Sequence, residues 1–123
     1  RSSAASDVYK RQIMYIKNLA KNIYKKEINL NEFKKSSSEV VYNSLIKIKG
    51  IGKWTINNYQ LFVLEDCDAW PGGDLAVQEA IKSLKNLDVR PDENVSNNIA
   101  EKWRPFRGSA ALLLWHYYSK KND

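Results

Sequence analysis

Cysteine and histidine are nearly missing from this chain, with one of each (Cys67 and His116), and long apolar runs are missing altogether. A lone cysteine cannot close an intramolecular disulfide and cannot by itself supply a zinc or iron–sulfur site. A disulfide scaffold is therefore excluded, and a reducing intracellular setting is expected. The most apolar stretch, SAALLLWHYY at residues 109–118, is about half the length that spans a bilayer. It reads as a buried helix, and no membrane partner is expected. Residues 1–11 lack the apolar core of a signal peptide. No segment alternates with period two for long enough to suggest a strand, and there are neither internal repeats nor low-complexity linkers. Acidic residues are also short: 14 against 20 lysines and arginines, for a net charge of +6. That excess favours a polyanionic partner such as nucleic acid, although a solvated basic surface would give the same balance.

What is present is an ordinary globular composition, 43% hydrophobic and 28% charged over 123 residues, enough for one domain with one core. The helical pattern starts at Ile13. Ile13, Ile16, Leu19, Ala20, Ile23 and Tyr24 recur at spacings of three and four, opposite a solubilising face of Lys17, Lys21, Lys25 and Lys26. The preceding RSSAASDVYKR resembles a translated adapter, so residues 1–11 are expected to be a non-native leader and residues 12–123 the domain. A short helical turn is predicted at residues 30–33. Ser36 and Glu39, at capping-box spacing, then start a helix running to about Ile48. Gly50 and Gly52 stop it, and a further helix runs from Lys53 through Leu64 with Tyr59, Phe62 and Val63 toward the core. Asp74 opens the next, with Val77, Ala80, Ile81 and Leu84 on one face. A short helix from about Val95 to Trp103 is broken at Arg104 and Pro105 before the apolar final helix. The expected fold is all-α.

Two segments point to chemistry. In LIKIKGIGKWT (residues 45–55), glycines let the backbone approach a phosphate closely. Free N–H groups at the next helix start carry the positive end of its dipole, and Lys49 and Lys53 add charge. A tight helix–helix connection with no ligand would use the same glycines. In WPGGDLAVQ (residues 70–78), Asp74 is either a plain helix N-cap or a functional carboxylate placed by the turn.

Together with WRPFRGSAALLLWHYY (residues 103–118), these segments resemble the motifs of the helix-hairpin-helix DNA glycosylase superfamily. They match its G-[IV]-G hairpin, its Gly/Pro-rich loop with an aspartate, and the closing W-[RK]-P-[WF]-R…A…LW helix of the 3-methyladenine glycosylase II branch. The likeness covers about residues 13–118. It implies a helical helix-hairpin-helix glycosylase domain, here its C-terminal part and truncated at the N-terminus. The implied activity is base excision repair: an alkylated base such as 3-methyladenine is flipped from duplex DNA and its N-glycosidic bond hydrolysed. Asp74 would be the catalytic carboxylate. Trp54 and Trp70 would line the base pocket, where an indole face attracts a cationic base by roughly 0.5–2 kcal/mol. Lys49, Gly50, Ile51, Gly52, Lys53 and Thr55 would contact the DNA backbone, and the carbonyls of Ile46, Ile48 and Ile51 would hold a monovalent Na or K ion.

Further implications concern mechanism. Bifunctional members carry a Schiff-base lysine where this chain has Trp54, so a monofunctional enzyme using water is expected. Iron–sulfur members carry four cysteines after the final helix, and none stands there in this chain, so no cluster is expected. A purine methylated at N3 or N7 is already cationic and leaves without protonation, so one carboxylate can suffice where sugar–sugar hydrolysis uses two. Trp103 and Trp115 are expected to fill core space, which is also the alternative reading of Trp54. Arg104 and Arg107 would contact DNA, orient the active-site loop, or lie on an ordinary surface. The expected partner is damaged double-stranded DNA, with a monomeric full-length protein that is cytoplasmic and nucleoid-associated in a prokaryote or nuclear in a eukaryote. The rival from a different class is a non-catalytic helix-hairpin-helix module, or an inactive fragment, that only grips the DNA backbone.

Overall fold

The computed structural model describes residues 2–121, with side chains from Lys10 onward except Gln12. Helices supply its regular structure: α1 (Ser2–Tyr24), α2 (Leu30–Phe33), α3 (Ser38–Ile46), α4 (Lys53–Phe62), α5 (Leu75–Leu84), α6 (Glu93–Ala100) and α7 (Arg107–Lys121). A 3-10 turn, Glu101–Trp103, lies between the last two. Among the described residues there is no strand, so the fold is all-α. None of these helices is long and apolar enough to cross a membrane. The chain divides into two compact units, Arg1–Gly52 and Lys53–Asp123, and the division falls at the end of the glycine turn.

In the first unit, α1 starts well before Ile13, because neither glycine nor proline occurs until Gly50 and the early segment is rich in helix formers such as alanine, lysine and arginine. The leader expected at residues 1–11 therefore lies largely on helix; residue 1 and the side chains of residues 2–9 are outside those described. The helix is also phased differently from its apolar pattern. Ile13, Ile16, Ile23 and Tyr24 are exposed, and the half-buried side passes through Tyr15, Asn18, Leu19 and Asn22. Tyr15 sets this phase by laying its ring over Gly50.

The N-cap of α3 is Ser37, not Ser36: the Ser37 hydroxyl accepts from the Val40 N–H at 3.3 Å, while the Ser36 hydroxyl donates back to the Glu32 carbonyl at 2.8 Å. Ser36 thus completes the preceding turn and is unavailable as a cap. Ile28, Phe33, Val41, Leu45 and Ile48 form the buried set of this unit. α3 stops at Ile46, and tight turns follow, with the Ile51 N–H donating to the Ile48 carbonyl at 3.1 Å.

In the second unit, α5 packs along α7. Val77, Ala80 and Ile81 meet Ala111 and Leu114, with Ala69, Trp70 and Ala100 completing the cluster. Alanines on both helices permit close approach, and the Ser83 and Tyr117 hydroxyls, 2.9 Å apart, join the helices at their far ends. Leu84, expected on the core face, is exposed. In α4 the buried residues are Ile56, Gln60 and Leu61; Phe62 and Val63 are exposed and Tyr59 is half-buried. The helix end turns this apolar pair outward, a phase that their short run could not reveal. α6 begins at Glu93, ahead of the expected Val95, because Asp92 caps it by accepting from the Val95 N–H at 2.9 Å.

Candidate active site

The loop between α4 and α5 is tied down at each end. Where α4 finishes, Glu65 takes a left-handed conformation (φ 56°), and the Asp66 N–H returns to the Gln60 carbonyl at 2.9 Å. The Cys67 carbonyl accepts from the N–H groups of Gly108 and Ser109 at 2.7 and 3.2 Å, so the loop closes the open first turn of α7. Gly108 is needed there: a Cβ would stand 2.8 Å from that carbonyl oxygen. Arg107 grips Asp68 with both arms, Nε to Oδ1 and Nη2 to Oδ2, each at 2.9 Å, and its backbone N–H donates to Oδ1 at 3.1 Å. The arginine of the closing motif is thus a loop-orienting residue in this structure. Nearer the aspartate, the buried Gln78 amide donates to the Gly72 carbonyl at 2.8 Å, and Gly72 lies against Asn97 where a Cβ would overlap the side-chain oxygen.

These restraints have a pH signature. The hydrogen bonds from Arg107, opposed by burial and aided by the charges of Arg107 and Arg104, hold the Asp68 carboxyl below its ordinary value. A carboxylate lowered in the folded state contributes stability above its unfolded value and loses it as pH falls through the folded one. The stability advantage of the native chain over Asp68→Asn is therefore expected to be constant at neutral pH and to close below about pH 4. Urea melts of both proteins across pH 2.5–7, a range set about the ordinary carboxylate value, check this; a gap independent of pH would contradict it.

Asp74 stands at the end of that loop as the N-cap of α5, its Oδ1 accepting from the Val77 N–H at 3.0 Å. It is more than a cap. The Trp115 indole donates Nε1–H to the same oxygen at 3.0 Å, and Trp54 donates Nε1–H to Oδ2 at 2.7 Å. Burial pushes this carboxyl up, but the donors Trp115, Trp54, Val77 and Ala76 together outweigh it and leave Asp74 below its ordinary value. The site therefore presents an ionised, half-exposed carboxylate at neutral pH.

Of the other expected site residues, Trp54 stands on the first turn of α4, 55% exposed, with its ring edge against Asp74. Trp70 is not brought to that face. It is 7% exposed, packed edge-on against Trp103 at 5.6 Å between ring centroids, because the loop ties around Pro71 and Gly72 turn its side chain into the core. Lys53 and Thr55 are exposed on α4, and Lys53 faces Glu93 at 3.5 Å. In the other unit, Lys49 and Gly50 are exposed and Ile51 is half-buried. Gly50 has φ +97° beneath the Tyr15 ring, whereas a Cβ on Gly52 would meet nothing within 4 Å. The Ile48 carbonyl takes part in the turn through Ile51, and Ile46 ends α3.

The residue that sequence reasoning missed is Trp115. Expected to be core filling, it packs against the core cluster and in addition sends its N–H to Asp74, and its ring stacks on Phe62 at 5.7 Å and 16°. The signal was its place at the end of the A…LW motif, one turn beyond the buried Ala111 that sets the helix phase.

No family model matches the chain. It is 32% identical over 105 residues to YfjP of Bacillus subtilis, an alignment taking in 85% of the chain. It is 33% identical over 84 residues, 68% of the chain, to DNA-3-methyladenine glycosylase 1 of Schizosaccharomyces pombe. The chain spans 37% of the length of each of these relatives. Among solved structures, the S. pombe 3-methyladenine DNA glycosylase Mag1, in complex with abasic DNA, superposes with a TM-score of 0.78 at 30% identity, over 82% of this chain and 50% of that one. The all-helical fold, with its glycine turn and capping aspartate, is that of the helix-hairpin-helix DNA glycosylases. Within that class, the chain belongs to the 3-methyladenine DNA glycosylase family.

Proposed function

We propose that this chain carries the excision chemistry of a monofunctional DNA glycosylase that hydrolyses the N-glycosidic bond of alkylated bases, 3-methyladenine among them, in duplex DNA. The observation that supports it most is an ionised Asp74 held at a helix start by two indole N–H groups beside the exposed ring of Trp54. As the bond from the sugar C1′ to the base nitrogen breaks, its electron pair leaves with the base and neutralises the cation created by methylation. Positive charge grows on the sugar, and the Asp74 carboxylate stabilises it and orients water toward C1′. The C1′–O bond forms, the proton passes to Asp74 and on to solvent, and an abasic site remains. With tryptophan at position 54, the sugar meets no lysine there, so water is the nucleophile.

The pocket face is assigned to Trp54 alone, since Trp70 is core. Backbone contacts fall to Lys49, Gly50, Ile51, Gly52, Lys53 and Thr55, which fix position on the duplex and carry no sequence information. The carbonyls of Ile46, Ile48 and Ile51 are neutral oxygens with no charged donor among them, a set that fits a Na or K ion better than a divalent one; the ion would add positive charge facing a phosphate.

Gly50 and Gly52 separate the structural part of this reading from the ligand part. Gly50→Ala is expected to destabilise the chain by about 1–3 kcal/mol, through the left-handed backbone and overlap with Tyr15. Gly52→Ala has open space around it, so melting is expected to stay unchanged while duplex affinity falls several-fold. Thermal melts and a salt series of duplex binding measure both. The enzymatic claim is tested by single-turnover release of methylated bases from alkylated duplex. Salt-sensitive binding with no base release would leave only a backbone-gripping module.

A further inference from the structure

We propose that Trp115 and Trp54 are positioning residues for Asp74, each indole N–H holding one carboxylate oxygen so that Oδ2 is the oxygen presented to the sugar. The inference rests on the reading of Asp74 as the catalytic carboxylate and adds which of its atoms acts and what aims it. A carboxylate has about four acceptor directions, two per oxygen. Oδ1 accepts from the Val77 N–H and from Trp115 Nε1, both at 3.0 Å, which uses its capacity. Oδ2 accepts from Trp54 Nε1 at 2.7 Å, and the Ala76 N–H is a further donor to this carboxylate.

The two indoles do not contribute alike. Trp115 is half-buried on α7, and its ring lies flat on Phe62, so its N–H cannot swing away without breaking that stack. It is the fixed arm, and it outranks Trp54 in drawing Asp74 toward the ionised form. Trp54 is 55% exposed, on the first turn of α4, with its N–H committed to Oδ2 and more than half of its surface, ring face included in the reading proposed above, left for a base. A base resting on that face would restrain the ring and, through the N–H, the reactive oxygen. Occupancy of the pocket and aim of the carboxylate are thereby coupled through a single side chain.

The test follows the Asp74 carboxyl carbon by NMR titration in the native chain, Trp115→Phe and Trp54→Phe, alongside pH profiles of single-turnover release of 7-methylguanine. Phenylalanine keeps an aromatic ring and removes the N–H. In Trp115→Phe the Asp74 midpoint is expected to rise by roughly one pH unit. The acid limb of the excision profile should move with it, and release at pH 7 should fall about tenfold through misaim. Trp54→Phe should move the midpoint in the same direction by less; as an exposed site it also guards against a Trp115 variant that fails to fold. Unchanged midpoints in both folded variants would overturn the proposal, as would a rate loss equal at every pH. Absence of release by the native chain would overturn the glycosylase reading instead, while the titration would still decide whether the indoles hold the carboxylate.

Discussion

Asp74→Asn is expected to lower base release by roughly 10²–10⁴-fold while duplex affinity stays within about twofold. The first part follows from charge: the amide is neutral and cannot oppose the cation developing on the sugar. The second follows from the division of labour, since the grip on the DNA backbone is assigned to the glycine turn and the residues beside it, whereas Asp74 is held by Val77, Trp54 and Trp115. The substitution should also destabilise the fold, although asparagine is as good an N-cap as aspartate. The partners of the Asp74 carboxylate, Val77, Trp54 and Trp115, are donors, and asparagine offers one acceptor oxygen. If that oxygen keeps Val77 and Trp115, the new NH₂ points at the Trp54 N–H across 2.7 Å; if it turns, two donors are stranded instead. The expected cost is about 1–3 kcal/mol. Single-turnover kinetics, duplex titration and thermal melting of one protein preparation check all three statements. Release within tenfold of the native rate would end the case for Asp74 as the catalytic group.

Gly108→Ala should be the most damaging change outside that site. A Cβ there stands 2.8 Å from both the Cys67 carbonyl oxygen and Leu61 Cδ1, and the oxygen is backbone, so the first turn of α7 or the loop must move. Moving either lengthens the 2.7 Å bond from the Gly108 N–H that closes the helix start. Overpacking of this kind costs about 1–3 kcal/mol, and the weakened bond adds to it, so a fall of roughly 10–20 °C in melting temperature is expected. Because the same loop carries Asp74, release should fall as well, even at temperatures where the protein remains folded. Circular dichroism melts and excision assays at 15–20 °C, chosen as about the temperature of greatest stability, measure the two effects. A melting temperature within a few degrees of the native chain would show that the loop yields freely.

Much of the fold and of the site is legible in the residues themselves. The GIG turn, the WPGGD loop and the WRPFRG helix identify the family by residue type and spacing. Asp74 can be named from its position, because a carboxylate at a helix start after a glycine pair is a local event. Less local features are not legible in this way. Ser36 has the spacing of a cap and Ser37 is the cap, since the choice turns on which hydroxyl the preceding turn consumes. Phe62 and Val63 have the composition of core residues and are exposed; α1 has a stripe of isoleucines, and Tyr15 over Gly50 sets its phase instead. Trp70 goes to the core and not to the site, and Trp115, packed on the core as its composition suggests, also reaches the carboxylate.

The sequence by itself determined the helices, the glycine turn and the placing of Asp74 at a helix start, because caps, periodicity and backbone freedom act over a few neighbouring residues. Only the tertiary structure decided that the Asp74 carboxylate meets two indole N–H groups, since their owners, Trp54 and Trp115, lie on either side of it in the chain, on separate helices. A hydrogen bond responds to distance in space, and composition and spacing along the chain do not record which indole arrives there.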